Sequence, residues 1–302
     1  MAIVLRPDGR GIAWLAAVLA AAASAAAAQP SAPQLPPLGP ATSLLVVAPH
    51  PDDETLCCAG VIQRVVGAGG RASVVWITSG DGSLLDLLLI ERSILASAAR
   101  MRALGTRRMH EARDATAILG VPAAGQLFLG YPDRGITALL DAHRDSAFVS
   151  PFTGASAVPY AQALFPAHPY TGASLERDLA AVLERVRPTL VLVPSPRDSH
   201  PDHAATGRLV LRMLAQRGEL DRARCWIVHG GEGWPSPREL SPGLPLTRAP
   251  LLGTTATTSF ALTPAEEGAK LAAVRAYPTQ LVALAPLLLS FVRTTELYTA
   301  PP

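Results

Sequence analysis

Short apolar, β-branched runs recur along this chain, each followed by a segment with helical spacing, and that alternation limits the fold more than any other feature. Ser43-Leu-Leu-Val-Val-Ala48 has no polar face, so it suits a strand buried on both sides. Residues 72–78 and 189–194 repeat the pattern. Helical spacing follows over 55–67, over 86–119 with a break expected near Gly105-Thr106, and over 201–217. Shorter strands are expected at 126–129, 225–229 and 254–262. Ser174 is placed to cap a helix that Pro188 ends, and Thr263-Pro-Ala-Glu266 is a capping box opening a helix to Arg275. Residues 141–172 and 230–250 lack periodicity and are expected as surface loops. Strands alternating with helices predict an α/β fold, a mostly parallel sheet flanked by helices in a single domain over 43–302.

Composition excludes several alternatives. The 302 residues are 49% hydrophobic and 17% charged, too apolar for a disordered solvating chain. Lys and Arg number 26 against 24 Asp and Glu, without a dense basic stripe, so no nucleic-acid partner is expected.

Part of the mean hydropathy of +0.26 comes from the N-terminus. Residues 1–28 carry Arg6 and Arg10, then an Ala-rich apolar run, then small residues with Ala-x-Ala cleavage points after Ala25 or Ala28. This is the pattern of a secretory signal, so a secreted or periplasmic protein is expected; the alternative is an N-terminal membrane anchor. No later segment reaches the length of a spanning helix. Residues 29–42, rich in Pro, Ala and Ser, are expected as a flexible lead-in. The cysteines, Cys57, Cys58 and Cys225, are too few and wrongly spaced for a Cys-rich zinc site. Adjacent cysteines rarely pair, so all are expected as small buried side chains.

Two polar clusters follow apolar runs. Pro49-His-Pro-Asp-Asp-Glu54 follows residues 43–48, and Asp198-Ser-His-Pro-Asp-His203 follows residues 189–194. Ligands of open α/β sheets bind beyond the carboxyl ends of strands, so these clusters can face one crevice. Histidine and carboxylate suit a mononuclear zinc site, which in catalytic form has three protein ligands. Asp52 and Asp53 sit at a helix start, where successive side chains diverge by about 100°. One can therefore bind metal while the other faces a water. His200 and His203 fall on one helix face.

The segments His50-Pro-Asp-Asp-Glu54 and His200-Pro-Asp-His203 resemble the two signature motifs of the PIG-L (LmbE-like) de-N-acetylase family. Thr78-Ser-Gly-Asp-Gly82, Glu111 to Gly120, Leu129-Gly-Tyr-Pro-Asp133 and Lys270 to Gln280 resemble further family segments, so the similarity covers about residues 43–280. The resemblance implies a Rossmann-like fold and zinc-dependent hydrolysis of an N-acyl group, typically the acetyl of an N-acetylglucosamine conjugate. It implies His50, Asp53 and His203 as metal ligands, Asp52 as general base, and His200 as the residue that stabilises the oxyanion or protonates the leaving amine. Asp202 is implied to orient His200. The chemistry is consistent, because zinc lowers the pKa of a bound water and a carboxylate beside that water can take its proton.

Glu54 reads as support at the helix start. Arg107 and Arg108 read as a salt-bridged face or an anion contact. Asp81, Arg108, Tyr131, His229 and Trp234 are possible substrate contacts, with turn chemistry or loop anchoring as the plainer roles for Asp81, Tyr131 and Trp234. The expected partner is an amino-sugar or glycan small molecule. Export would favour cell-wall, exopolysaccharide or imported glycan fragments. The rival readings are a zinc hydrolase of another N-acyl compound and a non-catalytic glycan-binding protein on the same fold.

Overall fold

The computed structural model describes residues 34–83, 89 and 97–302. The signal expected over 1–28, the start of the lead-in and the first part of the helix expected over 86–119 lie outside the described residues. Five parallel strands form one sheet: β1 (Ser43–Ala48), β2 (Arg71–Thr78), β3 (Gln126–Tyr131), β4 (Leu190–Pro194) and β5 (Ala223–Trp226), in the order β3-β2-β1-β4-β5. β1 is fully buried at the centre, with Leu44 opposite both Ala72 and Leu190. The chain builds outward from β1 through β2 and β3, then returns to the other side of β1 with β4 and β5. The loops leaving β1 and β4 therefore diverge, and a crevice opens at their carboxyl ends. The fold is the mostly parallel α/β sheet anticipated from the apolar runs.

Helices α1 (Asp53–Gly67), α2 (Ala98–Ile118), α3 (Ile136–Asp141), α4 (Gly172–Val186), α5 (Pro201–Gln216), α6 (Pro264–Arg275) and α7 (Pro278–Leu289) flank the sheet. The capping box of α6 is present, with Thr263 and Glu266 bonding each other's backbone. Four expectations need correction. Helix α2 runs unbroken through Gly105, whose missing side chain instead admits Tyr160: a Cβ there would lie 2.4 Å from the Tyr160 hydroxyl. Helix α4 is capped by Thr171, not Ser174, because the Ser174 N–H lies inside the first turn and donates to Thr171 Oγ1 at 3.1 Å. Strand β5 stops at Trp226, because the N–H groups of Val228 and His229 turn away to the Asp198 carboxylate. Cys57 and Cys58 are disulfide-bonded to each other, while Cys225 is free and buried.

Two elements were not anticipated. Helix α7 is apolar almost throughout, and β7 (Thr295–Tyr298) pairs antiparallel with β6 (Thr258–Ala261) in a separate small sheet. From β7, the buried Glu296 accepts from the Gly60 N–H of α1 and from Lys270 Nζ of α6, both at 2.9 Å. Lys270 Nζ also donates to the Leu56 carbonyl at 2.8 Å. This buried ion pair clamps α1, which carries half of the polar cluster, against the C-terminal elements. None of the described helices is long and apolar enough to cross a membrane.

Helix α5 lies close to β4 because Gly207 faces the strand end. A Cβ at Gly207 would stand 2.2 Å from the Pro194 carbonyl oxygen, a rigid backbone atom. Gly207→Ala therefore has to push α5 away, at a cost of about 1–3 kcal/mol. Urea unfolding should show that loss as a lower midpoint with an unchanged slope.

Candidate metal centre and its cleft

The first cluster is shaped by the turn between β1 and α1. Asp52, the N-cap residue of α1, adopts φ 122°, a backbone conformation that L side chains rarely take. Such a residue costs on the order of 1–3 kcal/mol unless its surroundings hold it. Here its N–H donates to Glu54 Oε2 at 3.2 Å. Asp53 then begins the helix, and its Oδ2 accepts the backbone N–H of His50 at 2.8 Å.

The second cluster arrives at the same place through the β1–β4 pairing. Asp53 Oδ2 lies 3.4 Å from His50 Nδ1 and 3.3 Å from His203 Nε2, and the two ring nitrogens are 3.1 Å apart. Donors about 2.0–2.1 Å from a tetrahedral zinc stand about 3.3 Å from one another. The triangle therefore fits such an ion, and nitrogen and carboxylate donors are the right chemistry for it. Burial opposes charge on Asp53, but His203 and His50 hold its carboxyl well below the usual range. Burial likewise opposes charge on His203, yet Asp53 and Asp198 raise it to about 9. The triangle is thus strongly cation-seeking.

Each ring is held from behind. Asp198 Oδ2 lies 3.2 Å from His203 Nδ1 and accepts from Val228 N at 2.9 Å and His229 N at 3.1 Å. Its other oxygen accepts the His200 N–H at 2.9 Å. His50 Nε2 faces Asp133 Oδ1 at 3.3 Å and Asp202 Oδ2 at 3.4 Å. Asp202 does not orient the His200 ring, as the motif comparison implied. Its carboxylate accepts the N–H groups of Arg134 (2.7 Å) and Ile136 (3.2 Å), so it ties the start of α3 to His50. What reaches His200 is the Asp202 backbone: its N–H donates to His200 Nδ1 at 3.3 Å, the N-cap of α5. A neutral His200 accepting at Nδ1 carries its proton on Nε2, ready to donate. Burial, with His50, His203 and His229 nearby, pushes His200 down to about 3.

A cleft of about 200 Å³ opens over this triangle, and Asp52 and His200 both line it. Burial, reinforced by the neighbouring Asp53 and Glu54, pushes the Asp52 carboxyl well above its usual range. That direction suits a proton acceptor.

The remaining residues divide. His229 and Arg108 line the cleft, with Arg108 buried and donating to the Gly80 carbonyl at 2.6 Å. Asp81 is fully buried, accepting from Tyr160 Oη and from Asp133 N. Tyr131 is fully buried, its hydroxyl donating to Asp178 at 2.8 Å, and Trp234 donates to the Thr247 carbonyl and packs edge-on against Phe291. These three anchor loops and core, so they are removed from the possible substrate contacts. Arg107 is exposed and pairs with Glu111 at 3.7 Å. Glu54 supports the helix start as expected, bonded to Trp76, Thr55 and Tyr277. Asp133, Asp198, Arg134 and the apolar residues of α7 were not singled out in the sequence. Asp133 and Asp198 lay inside quoted motif segments, so the signal for them existed.

The family model described as PIG-L, GlcNAc-PI de-N-acetylase, matches residues 45–214, more than half of the chain. The chain belongs to this family. It is 31% identical over 178 residues to the 1D-myo-inositol 2-acetamido-2-deoxy-alpha-D-glucopyranoside deacetylase of Thermobifida fusca, covering 58% of this chain and 55% of that protein. It therefore spans about half the length of that relative. The protein of the same name from Actinosynnema mirum is 32% identical over 255 residues, covering 79% of this chain and 80% of that one. Among solved structures, the N,N'-diacetylchitobiose deacetylase of Pyrococcus horikoshii superposes with a TM-score of 0.51 at 19% identity, covering 84% of this chain and 82% of that one. At that identity the likeness concerns the fold.

Asp198 touches His203 and three backbone N–H groups at once. Asp198→Asn keeps the shape but removes the charge behind the ring. Loss of such a partner typically lowers metal affinity about 10–100-fold. Competition against a chromophoric chelator should show that drop, with the circular dichroism spectrum unchanged.

Proposed function

We propose that this protein is a zinc-dependent hydrolase that removes the N-acetyl group from an N-acetylglucosamine-type conjugate. The observation that carries the reading is the His50–Asp53–His203 triangle with the Asp52 carboxylate in the same cleft. The named relatives support it, since the Thermobifida fusca and Actinosynnema mirum proteins are deacetylases of a 2-acetamido-2-deoxyglucoside.

His50, Asp53 and His203 are the residues assigned to hold the metal, which when bound supplies Lewis acidity and a nucleophilic water near neutral pH. Asp52 stands in the same cleft as the proton acceptor such a site would need, and its raised pKa suits a group that takes up one proton and delivers it to the amine nitrogen as the C–N bond breaks. His200, with its proton on Nε2, donates to the carbonyl oxygen of the amide as negative charge develops there. A preorganised donor aimed at developing charge is worth far more, once substrate fills the cleft, than the same bond in water. Asp133, Asp198 and Asp202 hold the two histidine ligands, and Asp198 also fixes the His200 backbone. Arg108 and His229 border the cleft where the sugar has to lie. We also propose that the chain is exported, on the charge and Ala-x-Ala pattern of residues 1–28.

Acetate release from N-acetylglucosamine conjugates, soluble and polymeric, tests the reading. Chelation should abolish release and zinc should restore it. Asp52→Asn should lower kcat by about 10²–10⁴ while bound zinc stays near one equivalent. Zinc lost in that variant would exchange the roles of Asp52 and Asp53, and release indifferent to chelator would overturn the metal reading. Tight glycan binding without acetate release would instead identify a binding protein.

A further inference from the structure

The cleft has two unlike sides. Polar side chains enter from the loops after β2 and β3 and from α2: Ser83, Asp133, Arg134 and Arg108. Leu284, Leu287 and Leu288 enter from α7, joined by Leu56 of α1 and by Val228 after β5. The C-terminal end of α7 is fixed on the β5 side, because Phe291 packs edge-on against Trp234 of the loop after β5. At the other end, Gln280 donates to the Pro51 carbonyl, which places the start of α7 beside the turn that carries the proposed base. The helix thus runs past the metal-binding residues with an apolar face, from the first cluster towards the β5 side.

Helix α7 is not a core helix. Leu284 and Leu287 are only partly buried while they line the cleft, and only Leu288 is fully covered. A helix that keeps leucines at a wet, charged cleft forgoes some of the burial that normally stabilises them. An apolar group arriving in the cleft would recover it.

An N-acyl amino sugar is divided in the same way as the cleft. Its sugar presents hydroxyls, and its acyl group presents carbon. Sugar hydroxyls match the Asp133, Arg134 and Arg108 side. The opposite side presents carbon from Leu56, Val228, Leu284, Leu287 and Leu288, with His229 beside Val228 and with Gln280, at the far end of the helix, turned to the Pro51 carbonyl, so the acyl group belongs against the leucines. An acetyl methyl is too small to cover leucines spread over a full turn of helix.

We propose that the α7 face is an acyl-chain subsite, and that the protein prefers N-acyl groups of about four to eight carbons over acetyl. This rests on the reading of the cleft as an amide-hydrolysing site and specifies the acyl group that site takes. Each buried methylene contributes about 0.8 kcal/mol, equivalent to about 4-fold in affinity at full burial. Partial exposure of the wall lowers that to about 2-fold or more per methylene.

Two measurements on the zinc-loaded protein test it. The first is calorimetric binding of acetate, butanoate, hexanoate and octanoate, the acid products, which needs no turnover. The second is kcat/KM for the matching N-acyl glucosamines. Affinity and kcat/KM should both climb with chain length. In the Leu284→Ser/Leu287→Ser double variant the hexanoate-to-acetate affinity ratio should fall to near 1. A flat series in the wild-type protein, or a gradient that survives in the double variant, overturns the subsite. A carboxylate gradient without turnover of any N-acyl glucosamine leaves the subsite standing and overturns the hydrolase reading instead. Turnover of the acetyl compound with a flat series does the reverse.

Discussion

The parallel pairing of β1 with β4 is the constraint on which the site depends. His50 and His203 are 153 positions apart, yet their ring nitrogens stand 3.1 Å from each other. Neither loop could hold that distance alone. Leu44, Leu45 and Val46 lock register with Leu190, Val191 and Leu192, so the two turns leave the sheet side by side at its carboxyl edge. Helix α5 then needs Gly207 to approach the end of β4, and α1 needs the Lys270–Glu296 pair to hold it in place. The apolar strands therefore do more than fill a core. They bring together donors that Asp133, Asp198 and Asp202 then hold in place.

Charge balance makes the same region expensive to assemble without its partners. Asp53, Asp133, Asp198 and Asp202 are all buried around two imidazoles. Buried carboxylates are tolerated only when donors surround them. Asp198 meets this with three backbone N–H groups, Asp202 with two, and Asp133 with the Gly82 N–H. Most of these donors belong to loops rather than to the sheet. The loops after β3, β4 and β5 are thereby folded around the carboxylates, and the carboxylates around the histidines. The metal-binding geometry and the loop conformations are one hydrogen-bonded unit.

The sheet was legible because buried parallel strands write themselves as unbroken apolar runs, and β1, β2 and β4 were placed almost to the residue. The site was legible where chemistry is concentrated in short segments, as at 49–54 and 198–203. It was illegible where roles depend on direction. Asp81 and Tyr131 lie close in sequence to cleft residues, but their side chains point into the core, towards Tyr160 and Asp178. Asp202 turns to His50 because α3, a single short helix without a capping signature, presents unpaired N–H groups there. Helix α7 escaped notice because Pro278 and Pro286 interrupt its pattern and its apolar residues have no polar face to reveal a period.

Glu54 explains how a strained residue can sit at the centre of the cleft. Asp52 has to leave the helical path so that its carboxylate and that of Asp53 serve different partners, and φ 122° is the consequence. The cost is met by the bond from the Asp52 N–H to Glu54. Glu54 is itself fixed by the Trp76 indole of β2, 2.8 Å away, and by the Tyr277 hydroxyl at the start of α7. Burial raises the pKa of Glu54 while those donors lower it, and the raised side prevails. A chain of hydrogen bonds thus runs from the sheet, through a buried acid, to the backbone of the proposed base. Because Tyr277 also begins the helix that walls the cleft, the base and the apolar wall are held by the same carboxyl group.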